Sequence, residues 1–128
     1  MSVDDSAGTL RDISTSVLSF DVSTPRGMVD ITGLDKSAIE RLLLLADGQV
    51  SLNMQYDPTA TTGQHTVFRT MSSNSSQRTV TIVINSTPTA TLSMEMVCNE
   101  YTLNRGADGN LTATASLQLA NGTVPTWS

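Results

Sequence analysis

The sequence predicts a mainly β domain of α+β type, a sandwich or barrel-like layer of strands with one flanking helix and a second short helix. Three observations predict it. About a quarter of the 128 residues are Ser or Thr, well above ordinary usage. Thr favours strands and Ser favours turns, so the bias points to β structure. Several stretches alternate apolar and polar residues with the period of a half-buried strand. One segment, residues 35–49, instead carries helical spacing and helix-end signals.

The elements follow in order. Residues 9–23 read as two short strands around a polar turn, and in the second Leu18, Phe20 and Val22 alternate with Ser19, Asp21 and Ser23. Pro25 and Gly27 interrupt the pattern, which makes residues 23–27 a loop before a short strand at 28–32. Ser37 followed by Glu40 fits a capping box, with Asp35 a competing N-cap. Ile39, Leu42, Leu43 and Ala46 fall on one stripe, and Gly48 supplies a left-handed stop. Leu44 falls on the far side, with no obvious partner inside its own fold.

Beyond Gly48 the alternation becomes strict. Val50, Leu52, Met54 and Tyr56 face inward, and Asp57-Pro58 ends that strand. Residues 64–71 read as a second, shorter helix with Val67, Phe68 and Met71 on one side. Residues 78–85 suit a central, well-covered strand. In 90–103, Leu92, Met94, Met96 and Cys98 share a face; residues 104–110 form a turn into 111–120, where Leu111, Ala113, Ala115, Leu117 and Leu119 alternate with polar residues. There is no internal repeat and no linker, so a single domain over 1–128 is expected. Residues 1–8 are expected to be mobile.

Little chemistry is visible. The chain has one His, His65, and one Cys, Cys98, so no intramolecular disulfide is possible within it. A Cys–His nucleophilic pair would need the two in contact, whereas Cys98 shares the face of Met94 and Met96 and reads as a buried thiol. One His and one Cys make no zinc site, and no phosphate-cradling or nucleophile-elbow motif occurs. No enzyme and no cofactor is expected. The acidic N-terminus has no signal-peptide character, and the longest apolar run, 42–46, is too short to span a bilayer, so a soluble protein of a reducing compartment is expected, with no membrane partner. A net charge of −5 argues against general nucleic-acid affinity. Four Asn-x-Ser/Thr sites, at Asn74, Asn85, Asn110 and Asn121, are expected by chance in so Asn-, Ser- and Thr-rich a chain. Trp127 either anchors a partner or packs back on its own sheet.

What the sequence offers is surface. The polar strand faces, such as Ser51, Asn53 and Gln55 or Thr112, Thr114, Ser116 and Gln118, are uncharged, where a soluble monomer usually carries Lys and Glu. Such faces suit subunit contacts rich in hydrogen bonds, and Leu44 is either the apolar part of a contact with a neighbouring copy or covered by the loop at 23–28.

Residues 9–58 carry a resemblance. The order of "RDIS" hairpin, loop, "DIT" strand, helix, Gly and alternating strand ending in "YDP" resembles the tail tube (major tail) proteins of long, non-contractile-tailed bacteriophages. The motifs are loose and the likeness lies in the order of elements over essentially the whole chain. This chain departs at "RLLLLADG", where many relatives carry an aromatic residue and Pro-Gly. The resemblance implies a late-expressed structural virion protein, made in the host cytoplasm and located in the virion tail. It implies hexameric rings stacked into a tube, with tail terminator, tape measure and tail-tip proteins as partners and DNA passing through without specific binding during ejection. Six copies of an acidic chain would repel phosphates from the bore. Asp21 and Glu95, on polar strand faces, are the candidate bore residues. The candidate interface residues are Leu44, Arg26 and Met28 near the first helix and loop, Arg105 and Asp108 around the later turn, and Trp127. The alternatives are a β-sandwich binding or adhesion module, and a related virion part such as a tail terminator or head–tail connector.

Overall fold

Alternating sequence builds the centre of the molecule. The computed structural model describes residues 1–71 and 73–128, with the backbone alone at Asn85 and Ser86, so the Asn85 site lies outside the described side chains. In chain order the elements are β1 (Ser2–Asp4), β2 (Leu10–Asp12), β3 (Val17–Ser23), β4 (Arg26–Asp30), β5 (Arg41–Ala46), β6 (Gln49–Gln55), α1 (Gln64–Phe68), β7 (Arg78–Ser86), β8 (Thr89–Arg105), β9 (Leu111–Leu119) and β10 (Thr126–Trp127). Eight strands form one antiparallel sheet, in the order β2-β1-β7-β8-β9-β6-β3, with β10 on β8 where β9 has ended. The sheet is mainly β as expected, but it is one open sheet, not closed into a barrel. β4 and β5 form a separate two-stranded ribbon.

The strict alternations hold. β6 buries Val50, Leu52 and Met54, β9 buries Ala113, Ala115 and Leu117, and β8 buries Leu92, Met94 and Met96. These meet Val3 of β1, Val80 and Ile82 of β7, and Val67 and Phe68 of α1 in one core. The short helix is found where expected but is one turn shorter, with a turn following at Met71. Its Phe68 stacks on Tyr101 of β8 at 5.7 Å between ring centroids. A bulge between Val17 and Ser19 makes Leu18 the extra residue of β3. Leu18 and Phe20 are exposed, against the inward alternation expected of them, and Val22 is half-buried.

The flanking helix expected over 35–49 is absent. Residues Arg41–Ala46 are a strand, paired with β4 through Met28 opposite Leu43, Val29 opposite Leu42 and Asp30 opposite Arg41. Ile39, Leu42 and Leu43, the expected core stripe, are all exposed. The physical reason is that pairing with 26–30 satisfies the backbone locally, so no helix is needed. The Asp30 carboxylate accepts from the Thr32 hydroxyl and amide, the Thr32 hydroxyl accepts from the Glu40 N–H at 2.9 Å, and Arg26 Nε donates to the Leu44 carbonyl at 2.6 Å. Gly48 is not a left-handed stop. A side chain there would meet Met94, Pro125 and Leu119, so Gly48 lets the strand pass close to β8 and the chain end.

The N-terminus is likewise not a mobile end. β1 lies between β2 and β7, with Val3 buried. Asp5 accepts from the Ala7 and Thr9 amides and pairs with Arg11 at 2.8 Å. Similar Asx turns recur at strand ends: Asp12 with Ser14, Asp57 with Thr59, Asn74 with Ser76, Asn121 with Thr123. At Asn74 and Asn121 the Asn-x-Ser/Thr pattern thus serves as turn chemistry.

These turns make an expected pH dependence. Donors to the carboxylate lower the pKa of Asp5 (chiefly the Thr9 amide), Asp12 (the Ser14 hydroxyl), Asp30 and Asp57 (the Thr32 and Thr59 hydroxyls). A folded pKa below the unfolded value of about 3.9 adds stability above that value and loses it as pH falls through the folded value. The thermal midpoint should therefore be level near neutrality and fall progressively below about pH 4. Asp57→Asn, which keeps the acceptor but does not titrate, should reduce that fall. A midpoint unchanged down to pH 2.5 contradicts the assignment.

Candidate interaction surfaces

The ribbon is the most unusual feature of the surface. Among the described residues, β4 and β5 pack extensively only on each other. Nine large apolar residues are exposed on it: Met28, Val29, Ile31, Leu34, Ile39 and Leu42 to Leu45. Leu45 is 92% exposed and Met28 62%. Side chains alternate across a strand, so Met28 and Leu43 lie on one face and Val29 and Leu42 on the other. Both faces are therefore apolar. An isolated two-stranded ribbon is at best marginally stable in water, and an apolar patch of this extent marks a contact site. Leu44, predicted to lie opposite a core stripe, instead packs across the ribbon against Gly27, where a Cβ would come within 3.2 Å of it.

The second surface is the sheet face turned away from the core. In register across four strands lie Asp21, Ser51, Ser116 and Glu100, and beside them Ser19, Asn53, Thr114 and Thr102. With Asn104 and Thr112, all of these but Thr102 line a shallow trough of about 740 Å³. The same face continues along β8 to Glu95, which accepts from the Thr79 hydroxyl, and Ser93. Among the described residues of this face there is no Lys or Arg; its charges are Asp21, Glu95 and Glu100, with Asp4 and Asp12 farther along on β1 and β2. The two predicted bore residues thus share one face. Glu100 was missed because the bulge between Cys98 and Glu100 shifts the alternation of β8, so residues on opposite faces by simple counting come to one face.

The remaining candidates are scattered. Arg26 and Met28 sit on the ribbon with Leu44. Arg105 ends β8 and Asp108 stands in the following turn, where its carboxylate accepts from the Asn110 amide at 3.0 Å. Trp127 is half exposed on β10, where its backbone pairs with Leu92 of β8. His65 and Cys98 form no dyad: His65 Nδ1 lies 3.0 Å from the Tyr101 hydroxyl, and the Cys98 thiol donates to the Glu100 carbonyl at 3.1 Å. Burial pushes the Cys98 pKa up, which makes it a poor nucleophile. No group of three or more His, Cys, Asp or Glu that could hold a metal occurs among the described residues.

Comparison with known proteins places the fold. No protein-family model and no curated protein matches the sequence. Among solved structures, a chain in the virion of a native gene transfer agent (GTA) particle is similar, with a TM-score of 0.70 and 11% identity over 99% of this chain and 94% of that one. A chain in the tail of an empty GTA particle, refined helically with C6 symmetry, is similar with a TM-score of 0.64 and 13% identity over 88% of this chain and 81% of that one. Over nearly its whole length, the chain has the fold of protein chains that build GTA virion and tail particles.

Proposed function

We propose that this protein is a non-enzymatic structural subunit of a virion tail, which assembles as a single unit into six-membered rings stacked into a tube for DNA. The observation that carries the reading is the apolar ribbon: nine large side chains, on two faces, that stay exposed in their own chain. A fold shared with chains of a GTA virion and of a tail with C6 symmetry supports the same reading, as does a broad sheet face with carboxylates and no cation. Turned to a bore, that face would let DNA slide, because nothing on it neutralises phosphate. Tail terminator, tape measure and tail-tip proteins are then its neighbours, and the host cytoplasm is where it is made. The open edges at β2 and β3 are completed by neighbouring copies rather than left to uncontrolled pairing.

Negative-stain microscopy and sedimentation of the purified chain at rising concentration test this. Rings or tubes of uniform width are expected. A ribbon variant, Leu43→Asp with Leu45→Asp, should stay at the 13.6 kDa of one chain with an unchanged far-ultraviolet spectrum. An unmodified protein that remains monomeric at millimolar concentration overturns the proposal, and so does a ribbon variant that assembles normally.

A further inference from the structure

We infer that the ribbon of one copy docks in a specific socket on a second copy: the apolar groove at the start of β3, lined by Met1, Val17, Leu18, Phe20, Ile82 and Val83. The inference rests on the self-assembly reading above and names the surface that receives the ribbon.

The groove measures about 190 Å³, below the roughly 300 Å³ at which small-molecule sites begin, and it suits a few aliphatic side chains. Leu18 is 59% exposed and Val83 51%, and Ile84 beside them is also exposed. Beside it lie the Met1 ammonium, which donates to the Ser14 hydroxyl at 2.6 Å, and the Asp12 carboxylate 3.9 Å from that ammonium. Asp12 is 74% exposed. The ribbon presents the matching pattern: uncharged Leu42 to Leu45, preceded by Arg41, which makes no ion pair among the described residues. Leucines fill the groove, and Arg41 meets Asp12 at its rim.

Placement decides for a second copy over the ribbon's own body. The ribbon prolongs the β3–β6 ladder, for Ser23 opposes Gln49, the Pro25 carbonyl accepts from the Asp47 amide, and Arg26 opposes Ala46. It therefore leaves from the Ser23 end of β3, while the groove lies toward the Val17 end. Plug and socket sit at opposite ends of one strand of about 20 Å. A contact between two different patches is head-to-tail. It propagates until a rotation closes it into a ring, or it continues as a filament.

Mixing two defective variants of the full chain tests this. The ribbon variant above keeps its socket. A socket variant, Leu18→Asp with Val83→Asp, keeps its ribbon. Each alone should remain monomeric, and an equimolar mixture should give a one-to-one dimer and nothing larger by sedimentation velocity. A socket variant that assembles like the unmodified chain overturns the socket while leaving ribbon-dependent assembly intact. Independently of whether that variant folds, Leu43→Cys with Val83→Cys in a Cys98→Ser background should give a ladder of disulfide-linked multimers on oxidation. A product without the ladder overturns the proposal.

Discussion

Arg78→Ala should lower the thermal midpoint by more than 10 °C, the largest effect of any single substitution outside the apolar core. Arg78 is 1% exposed although it opens a strand. One guanidinium nitrogen donates to the carbonyls of Asp4 in β1 and Val67 in α1, both at 3.0 Å, and the other donates to the Thr70 hydroxyl at 3.0 Å. The side chain thus ties the N-terminal strand and the helix end to the centre of the sheet. Among the described residues no carboxylate pairs with it directly. Asp5 and Asp4 favour its charge from nearby, while burial works against it and lowers its pKa.

Two effects of removing it oppose each other. Losing a buried charge relieves a desolvation cost, and replacing a buried ion by an apolar group is often neutral. Against that, the backbone carbonyls of Asp4 and Val67 are fixed by the sheet and helix and lose their donor, at about 1–3 kcal/mol each, and Ala leaves a cavity as well. Because those acceptors cannot turn to water without β1 or α1 moving, the loss should win, at about 3–5 kcal/mol. Arg78→Met, which keeps most of the volume, isolates the donor loss and should fall between Ala and the unmodified chain. Calorimetry gives the midpoint. Hydrogen exchange should show protection lost first in Ser2–Asp4 and Gln64–Phe68. If both variants melt within about 2 °C of the unmodified chain, the guanidinium does not brace these elements.

What could be read from the sequence divides along physical lines. Where a strand has one dry and one wet face, period two is written in the residues, and β6, β8 and β9 were legible to within two residues. The ribbon was not. Its leucine run has no period, and a run of this kind does not separate helix from strand. Helix-end signals at Ser37, Glu40 and Gly48 then tipped the reading. The discriminating clue was the run itself: four successive leucines suit a strand with two apolar faces, and within this chain they stay exposed, so no intrachain rule announces them. β1 was missed because three residues with one Val carry no pattern, and its order comes from Val3 and Arg78 far along the chain. The polar face was recognised residue by residue, but its assembly depended on a bulge in β8 that no spacing announces.

In the proposed tube, reversing charge on the polar face should turn a surface that ignores DNA into one that holds it. Asp21 and Glu100 end one row across four strands, with Ser51 and Ser116 between them. Asp21→Lys with Glu100→Lys moves each chain from −5 to −1, and the proposed six-membered ring would repeat the change in every copy. Both side chains are exposed and take part in no ion pair among the described residues, so the fold should tolerate the change. Assembled tubes of the unmodified chain should leave the anisotropy of a short fluorescent duplex unchanged at 50 mM salt. Tubes of the variant should bind it, with affinity falling by about three to five decades between 50 and 200 mM salt if six to ten phosphates are neutralised. Placing four lysines instead at exposed loop and turn positions away from the ribbon, Ala7→Lys, Ala60→Lys, Thr62→Lys and Ser75→Lys, changes the net charge equally without touching this face. Equal DNA binding by that control would mean that total charge, not the face, sets the interaction. Binding confined to the Asp21 and Glu100 variant would locate the path of DNA on the surface where the register of β3, β6, β9 and β8 brings carboxylates together with no Lys or Arg among the described residues.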